Sequence, residues 1–268
     1  VLLTVATLNL HGNRDRWGQR RSLVVSTLLD AAPDVIALQQ VALAIGQGAW
    51  LRNQLNARLA AQGSEKRYDY VQRRRGHLLY GWLDGVGILS ALPILSADPV
   101  ALGFDGYRAV RANLLLPDGH TVDVVSVRLH PDRHADDERF GQVMALIGRL
   151  HSQGASPHRI LAGSFNAPPD SAAIRQLTAF YRYRSAWAEA RGHELPASFP
   201  TALRPLALDS GLCLDYIFLS PRTGRVADVT LLGNQPAEND PDLYPSDHVG
   251  LLARIDLSGS NPSSLTLP

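Results

Sequence analysis

Apolar residues Leu2, Leu3, Val5, Ala6 and Leu8 open the chain, and the run closes through Asn9 and His11 at Gly12. That stretch reads as a strand ended by a glycine break. Leu23, Val24, Thr27, Leu28 and Ala31 then recur at helical spacing, and Pro33 stops the helix. "DVIALQQV" is short and almost wholly apolar, which suits a strand covered on both faces. Leu51, Leu55 and Leu59 form one helical stripe, with Gly63 as its stop. "GVGILS" reads as a glycine-flanked strand before Pro93. "YRAVRANLLLPDGHTVDVVSVRLH" is the clearest hairpin, turning around Pro117-Asp118-Gly119. A long helix follows, whose spacing places Phe140, Val143, Met144, Ile147 and Leu150 inward. After it come a strand in "ILAGSFNAPPD", a short helix over "SAAIRQLTAF", and strands at "LDYIFLS", "VADVTLLG" and "GLLARIDL". Strands arrive in groups and pairs rather than alternating strictly with helices. That order predicts two packed sheets with helices outside, in a single domain over residues 1–257. The polar, Pro/Ser-rich tail, 258–268, is expected to fray.

Polar residues interrupt the apolar strands at their ends. Asn9 and His11 close the first and Gln39-Gln40 the second; Ser126, Arg128 and His130 end a third, and Ser164 and Asn166 a fourth. Asp215 opens "DYIF", and "YPSDHVG" brings Ser246, Asp247 and His248. Taken singly, each fits a hydrogen-bonded turn or cap. Taken together, polar side chains at several strand ends converge on a cleft.

These segments, in this order, resemble the endonuclease/exonuclease/phosphatase superfamily, the deoxyribonuclease I-like group. The resemblance runs from "ATLNLHG" through "PDVIALQQV", "GVGILS", "VVSVRLHP" and "ILAGSFNAPPDS" to "LDYIFLS" and "YPSDH". It implies a four-layer α/β/β/α sandwich and descent from Mg²⁺-dependent phosphoester hydrolases. In that family a glutamate holds the metal, an aspartate in "GDFN" takes the proton of the attacking water, and an Asp–His pair faces the phosphoryl oxygens. Carried over by position, the resemblance assigns Asn9, Asn166, Asp215, Asp247 and His248 to intact site positions. Three positions depart: Gln40 stands for the metal-holding glutamate, Ser164 for the water-activating aspartate, and Arg128 for a histidine facing the phosphate. Ser126 stands where an asparagine is usual.

The departures change the electrostatics. Gln40 keeps an oxygen without charge, and a serine hydroxyl is neither an anion nor a competent base near neutral pH. Two unit charges about 4 Å apart interact by roughly 4 kcal/mol at an effective dielectric of 20, so losing two carboxylates weakens a Mg²⁺ site held by Gln40 and Asp247. A permanently charged guanidinium at Arg128 suits phosphate oxygens, with Arg108 and His248 as further donors. Alternatively Arg128 fills space and pairs with Asp247 or Asp215. His130, on the same strand face as Ser126 and Arg128, is the best replacement base, while Asp209 reads as a loop residue. The expectation is a homologue with a degraded metal and base site, inactive or very slow, that binds a phosphate-bearing small molecule or phosphodiester. The alternatives are an active metal-dependent phosphodiesterase or phosphatase with a rearranged site, and a scaffold that binds a partner through its surface.

Composition narrows the partners. The chain has 268 residues, 45% hydrophobic, and a formal charge of +1, which does not favour nucleic acid. No apolar run reaches the ~18 residues of a membrane span, and no basic-then-apolar segment opens the chain. A soluble protein is expected, with the cytoplasm favoured. Cys213 is the single cysteine, which excludes an internal disulfide and a thiolate metal cluster; between Leu212 and Leu214 it reads as a buried small hydrophobe. "KRYDYVQRRRGH" is either a nucleic-acid contact or a solvated strand edge. "HPDRHADDERF" reads as the acidic first turn of the long helix rather than a metal cluster.

Overall fold

The computed structural model describes residues 1–76, 84–154, 156, 158–206 and 211–258. Asp209 and the tail from residue 259 lie outside the described residues. The strands are β1 (Leu2–Asn9), β2 (Val35–Val41), β3 (Asp69–Arg74), β4 (Gly85–Ser90), β5 (Ile94–Ala101), β6 (Arg108–Leu115), β7 (Thr121–Arg128), β8 (His158–Ser164), β9 (Arg184–Ser185), β10 (Asp215–Leu219), β11 (Arg225–Leu232) and β12 (Gly250–Asp256). The helices are α1 (Trp17–Ala31), α2 (Gln47–Ala61), α3 (Asp136–Ser152), α4 (Ala172–Arg175) and α5 (Ala186–Arg191).

Two six-stranded sheets form, ordered β11-β12-β1-β2-β4-β3 and β5-β6-β7-β8-β10-β9. The side-chain period of two explains how they stack. Along β1, Leu3 and Val5 join the core shared with the second sheet, whereas Ala6 and Leu8 join a separate core with Val24, Leu28, Leu51 and Leu55 of α1 and α2. Val35 and Ala37 of β2 likewise face the second sheet, and Ile36 and Leu38 face the helices. Both strands are therefore buried on both faces, as the apolar run of β2 predicts and as the alternation in β1 does not announce. α3 packs its Val143, Leu146, Ile147 and Leu150 into the core of the second sheet. The result is the expected four-layer order of helices, sheet, sheet, helices.

The hairpin between β6 and β7 turns where predicted, with Gly119 at φ 84° and its N–H on the Leu116 carbonyl at 3.0 Å. "KRYDYVQRRRGH" supplies β3, an edge strand, as its solvated-edge reading expects. The inward face of α3 is corrected. Phe140 and Met144 are 37% and 40% exposed, and Arg139 and Gln142 take the buried positions instead. The reason is local: Gln142 Oε1 accepts the His130 N–H at 2.9 Å, and Arg139 donates to the carbonyls of His130, Asp132 and Arg133. Polar side chains face inward because they tie down the loop that leads into the helix. Three acids in the first turn of α3 match the macrodipole.

Among the described residues no helix is long and apolar enough to cross a membrane. Cys213 is buried, as expected, and burial pushes its thiol up to about 12.

Candidate active site

The inter-sheet face turns from apolar to polar at one end of the sandwich. On β1 the sequence Leu3, Val5, Thr7, Asn9 points toward the other sheet, and β2 and β7 change in the same way. Thr7 donates to Gln39 Oε1 at 3.2 Å, Gln39 Nε2 donates to Ser126 Oγ at 3.1 Å, and Ser126 donates to the Leu38 carbonyl at 3.0 Å. This ladder ties the sheets together just below the polar end. β1 and β2 run parallel, as do β7 and β8. Their carboxyl ends deliver Asn9, Gln39, Gln40, Arg128 and Ser164 to one place.

Strand register aligns the key residues. Arg128 on β7 is the partner of Ser164 on β8, and Ser164 is the partner of Asp215 on β10. Neighbouring strands lie ~4.8 Å apart, so the three form one row. Gly163 makes the row possible. A Cβ there would sit 1.9 Å from the Val127 carbonyl oxygen, so a side chain would push β7 away from β8.

Around that row runs a buried hydrogen-bond chain. Asn9 Nδ2 donates to Ser164 Oγ at 3.0 Å, and Ser164 Oγ donates to Asp215 Oδ1 at 2.6 Å. Asp215 Oδ2 accepts from Ser198 Oγ at 2.7 Å and lies 2.7 Å from His248 Nδ1. Asn9 Oδ1 accepts the His11 backbone N–H at 3.0 Å. The resemblance-based residues Asn9, Ser164, Asp215 and His248 therefore form one network. Burial alone would lower the His248 imidazole. Asp215 and Asp247 outweigh it and hold His248 above its ordinary value, with Arg128 opposing them.

Asp247 joins through His11, whose Nδ1 stands 2.9 Å from Asp247 Oδ2. The other ring nitrogen lies 2.6 Å from Asp15 Oδ2. Burial alone would push the Asp247 carboxyl up, but His11, His248 and Ser246 hold it below the usual carboxylate range.

Arg128 pairs with neither Asp247 nor Asp215, the partners its space-filling reading proposed. Its Nη1 donates to Asp84 Oδ2 at 2.9 Å, and its Nε has no partner among the described residues. Asp84 precedes β4, so this pair spans the two sheets. It also returns one negative charge to a cleft that the substitutions alone make more positive. Asn166 Nδ2 donates to the Leu129 carbonyl at 2.8 Å. His130 lies past the end of β7, where its ring packs 5.5 Å from Tyr107 and its Nδ1 accepts the Asp132 N–H at 3.2 Å. Arg108 is exposed, with its guanidinium beside Gly76.

Three strand ends carry left-handed backbone, His11 at φ 55°, Gln40 at 48° and Asn166 at 52°; histidine and asparagine tolerate it better than glutamine does. Gln40 also sits at a bulge between Leu38 and Val41, where β2 loses register with β4. Such conformations cost of order 1–3 kcal/mol each and gather at functional sites; a bulge re-aims a side chain. Asp84 and Ser198 were missed by sequence reasoning. Asp84 stands directly before "GVGILS" and Ser198 two residues before Pro200, in segments with no periodic signal.

A hard dication requires carboxylate oxygens. Gln40 offers a neutral amide, the Asn9 amide is committed at both ends, and Asp247 faces the His11 ring. Among the described residues no three His, Cys, Asp or Glu side chains gather as a metal site. The side chains present do not fit Mg²⁺.

The profile of the Endonuclease/Exonuclease/phosphatase family matches residues 6–248. In structure, the chain is similar to an endonuclease/exonuclease/phosphatase from Bacteroides vulgatus, at 18% identity and a TM-score of 0.75, covering 96% of this chain and 100% of that one. It is similar to truncated TDP2 of Caenorhabditis elegans at 16% identity and a TM-score of 0.71, covering 95% and 97%. An endonuclease/exonuclease/phosphatase family protein from Leptotrichia buccalis shows 18% identity and a TM-score of 0.73, covering 95% and 99%. Comparison with curated proteins finds no significant match.

Proposed function

This chain belongs to the endonuclease/exonuclease/phosphatase family, and from that premise we propose that it binds a phosphate-bearing ligand in its cleft and hydrolyses it very slowly or not at all. One observation carries the reading. The residue at the base position, Ser164, spends its proton on Asp215 at 2.6 Å and receives the Asn9 amide at 3.0 Å. A neutral hydroxyl held in this way is not a competent base for water near neutral pH. His130 packs its ring against Tyr107 and accepts the Asp132 N–H.

The anion-binding half of the machinery is what remains. His248 is oriented by Asp215 and biased toward its charged form. Arg128 stands in register beside Ser164 with a permanent charge. Its Nε is buried without a partner among the described residues, so the guanidinium acts on an anion through its charge and its terminal nitrogens. Asp84 holds the guanidinium across the cleft until an anion competes for it. Glutamine at position 40 and serine at position 164 together make the cleft a poor Mg²⁺ site and a better host for anions.

The test is a phosphate titration followed through the His248 imidazole resonances. The expected result is a saturable shift in the unmodified chain that Arg128→Ala abolishes or weakens at least ~10-fold, the loss of one charge-assisted contact. A His248 signal indifferent to phosphate, or a response unchanged by Arg128→Ala, refutes the proposal.

A further inference from the structure

The helix-covered side of the first sheet carries a second concave feature, lined by α1 and α2 rather than by the facing sheets. α1 and α2 lie side by side, and Trp17 and Trp50 meet edge to face at 5.6 Å near their starts. The helices therefore run in the same direction. Trp17, Arg21 and Val25 recur every four residues on α1, and Trp50, Gln54 and Arg58 do so on α2. These matched stripes form the walls of a groove of about 270 Å³, lined by Arg21, Ser22, Val25, Trp50, Gln54 and Arg58.

Two guanidiniums line this groove, and neither has a carboxylate partner among the described residues. Arg21 lies over the Trp50 ring at 5.7 Å to its centroid. α2 contains no acidic residue, and the one acid of α1, Asp30, lies nine residues past Arg21, roughly 13 Å along the axis at ~1.5 Å per residue. Arg21 is one turn past Trp17 and Arg58 two turns past Trp50, so the cations are offset by only ~6 Å along parallel axes. Long arginine side chains close that gap readily. The arrangement differs from a solvated surface of mixed charge: two forks of one sign flank a flat indole and an apolar floor at Val25.

We propose that this groove binds a small organic phosphate monoester. Arg21 and Arg58 hold the dianionic phosphate in bidentate fashion, as planar forks do. Gln54 also lines the groove and offers a further donor. The indole edge of Trp50 and the Val25 side chain receive the organic body. Arg20 plays no part: it is fully buried and donates to the carbonyls of Leu10, Gly12, Asp15 and Pro245, which fixes the loop ahead of α1.

The experiment uses the full chain with adenosine 5′-monophosphate, adenosine and inorganic phosphate, followed by calorimetry and tryptophan fluorescence. The expected result is a monophosphate-dependent fluorescence change that Trp50→Phe removes. Affinity for the monophosphate falls at least ~10-fold in Arg21→Ala/Arg58→Ala and partly recovers in Arg21→Lys/Arg58→Lys, since lysine restores charge without the fork. Arg128→Ala leaves this event unchanged, which separates it from phosphate binding in the cleft. Both groove arginines are exposed, so the variants retain the wild-type melting curve. The proposal is overturned by adenosine binding as tightly as its monophosphate, by unchanged affinity in Arg21→Ala/Arg58→Ala, by loss of the fluorescence change in Arg128→Ala, or by no monophosphate binding at millimolar concentration.

Discussion

Replacing Ser164 by aspartate restores the residue type that the family uses as base, and the geometry predicts that the single change is destabilising. Ser164 Oγ lies 2.6 Å from Asp215 Oδ1 and donates to it. An aspartate there removes a hydrogen bond to a charged acceptor, worth about 1.5–3 kcal/mol. It also sets two carboxylates side by side in register, a repulsion of roughly 4 kcal/mol at ~4 Å and an effective dielectric of 20. Asn9 Nδ2 and the neighbouring Arg128 offset part of this. The expected loss is therefore about 2–5 kcal/mol at pH 7. Ser164→Ala serves as the control. It deletes the hydroxyl without adding charge and leaves one lone pair of Asp215 and the Asn9 amide unmatched, at a cost of about 1–3 kcal/mol. Urea denaturation at pH 7 and pH 5 reads both. The two carboxylates share their site, so one binds a proton with raised affinity. The added penalty of Ser164→Asp over Ser164→Ala then shrinks at pH 5, because protonation relieves the repulsion. If Ser164→Asp matches the wild type in stability at both pH values, the Ser164–Asp215 contact does not organise the site and the reasoning fails.

Three further outcomes follow from the same geometry. Gly163→Ala places a methyl 1.9 Å from the Val127 carbonyl oxygen, so it lowers stability by about 3 kcal/mol or more, measured by chemical denaturation; a neutral substitution contradicts the close approach of β7 and β8. His248 is raised above its ordinary value, so its contribution to stability and to anion binding is fully present below about pH 6.5 and is lost as pH rises through the raised native value. Sulfate, whose charge is constant over this range, should bind progressively less well above that point, and His248→Gln should flatten the profile. Asp84→Asn frees the guanidinium it now holds at 2.9 Å, and calorimetry should show phosphate binding several-fold tighter; weaker binding means that Asp84 positions Arg128 rather than competing for it.

The two-sheet order is legible because strands arrive in groups and pairs rather than alternating with helices, and the almost wholly apolar run of β2 marks a strand covered on both faces. β5 escaped notice: it is an edge strand, half of it solvated, with Pro99 inside it. Apolar spacing around α3 points Phe140 and Met144 inward, whereas Arg139 and Gln142 turn inward for backbone carbonyls and an N–H that periodicity does not record. The site residues stood at the ends of apolar strands, where a polar side chain is conspicuous. Their partners did not. Asp84 reaches Arg128 from the opposite sheet and Ser198 reaches Asp215 from a loop, and only tertiary structure brings such pairs together. Nor does composition announce a positive φ at Gln40 or Asn166, since neither is a glycine.

The central claim is that serine at 164 and glutamine at 40 disable a cleft that is otherwise assembled. Its most direct measurement is the turnover of an activated phosphodiester with Mg²⁺ by the unmodified chain and by Gln40→Glu/Ser164→Asp. The account predicts negligible metal-stimulated turnover in the former and a gain of at least ~100-fold in the latter, the lower bound of what a positioned general base contributes. Brisk Mg²⁺-dependent turnover by the unmodified chain, or none by a folded double variant that binds Mg²⁺, contradicts it.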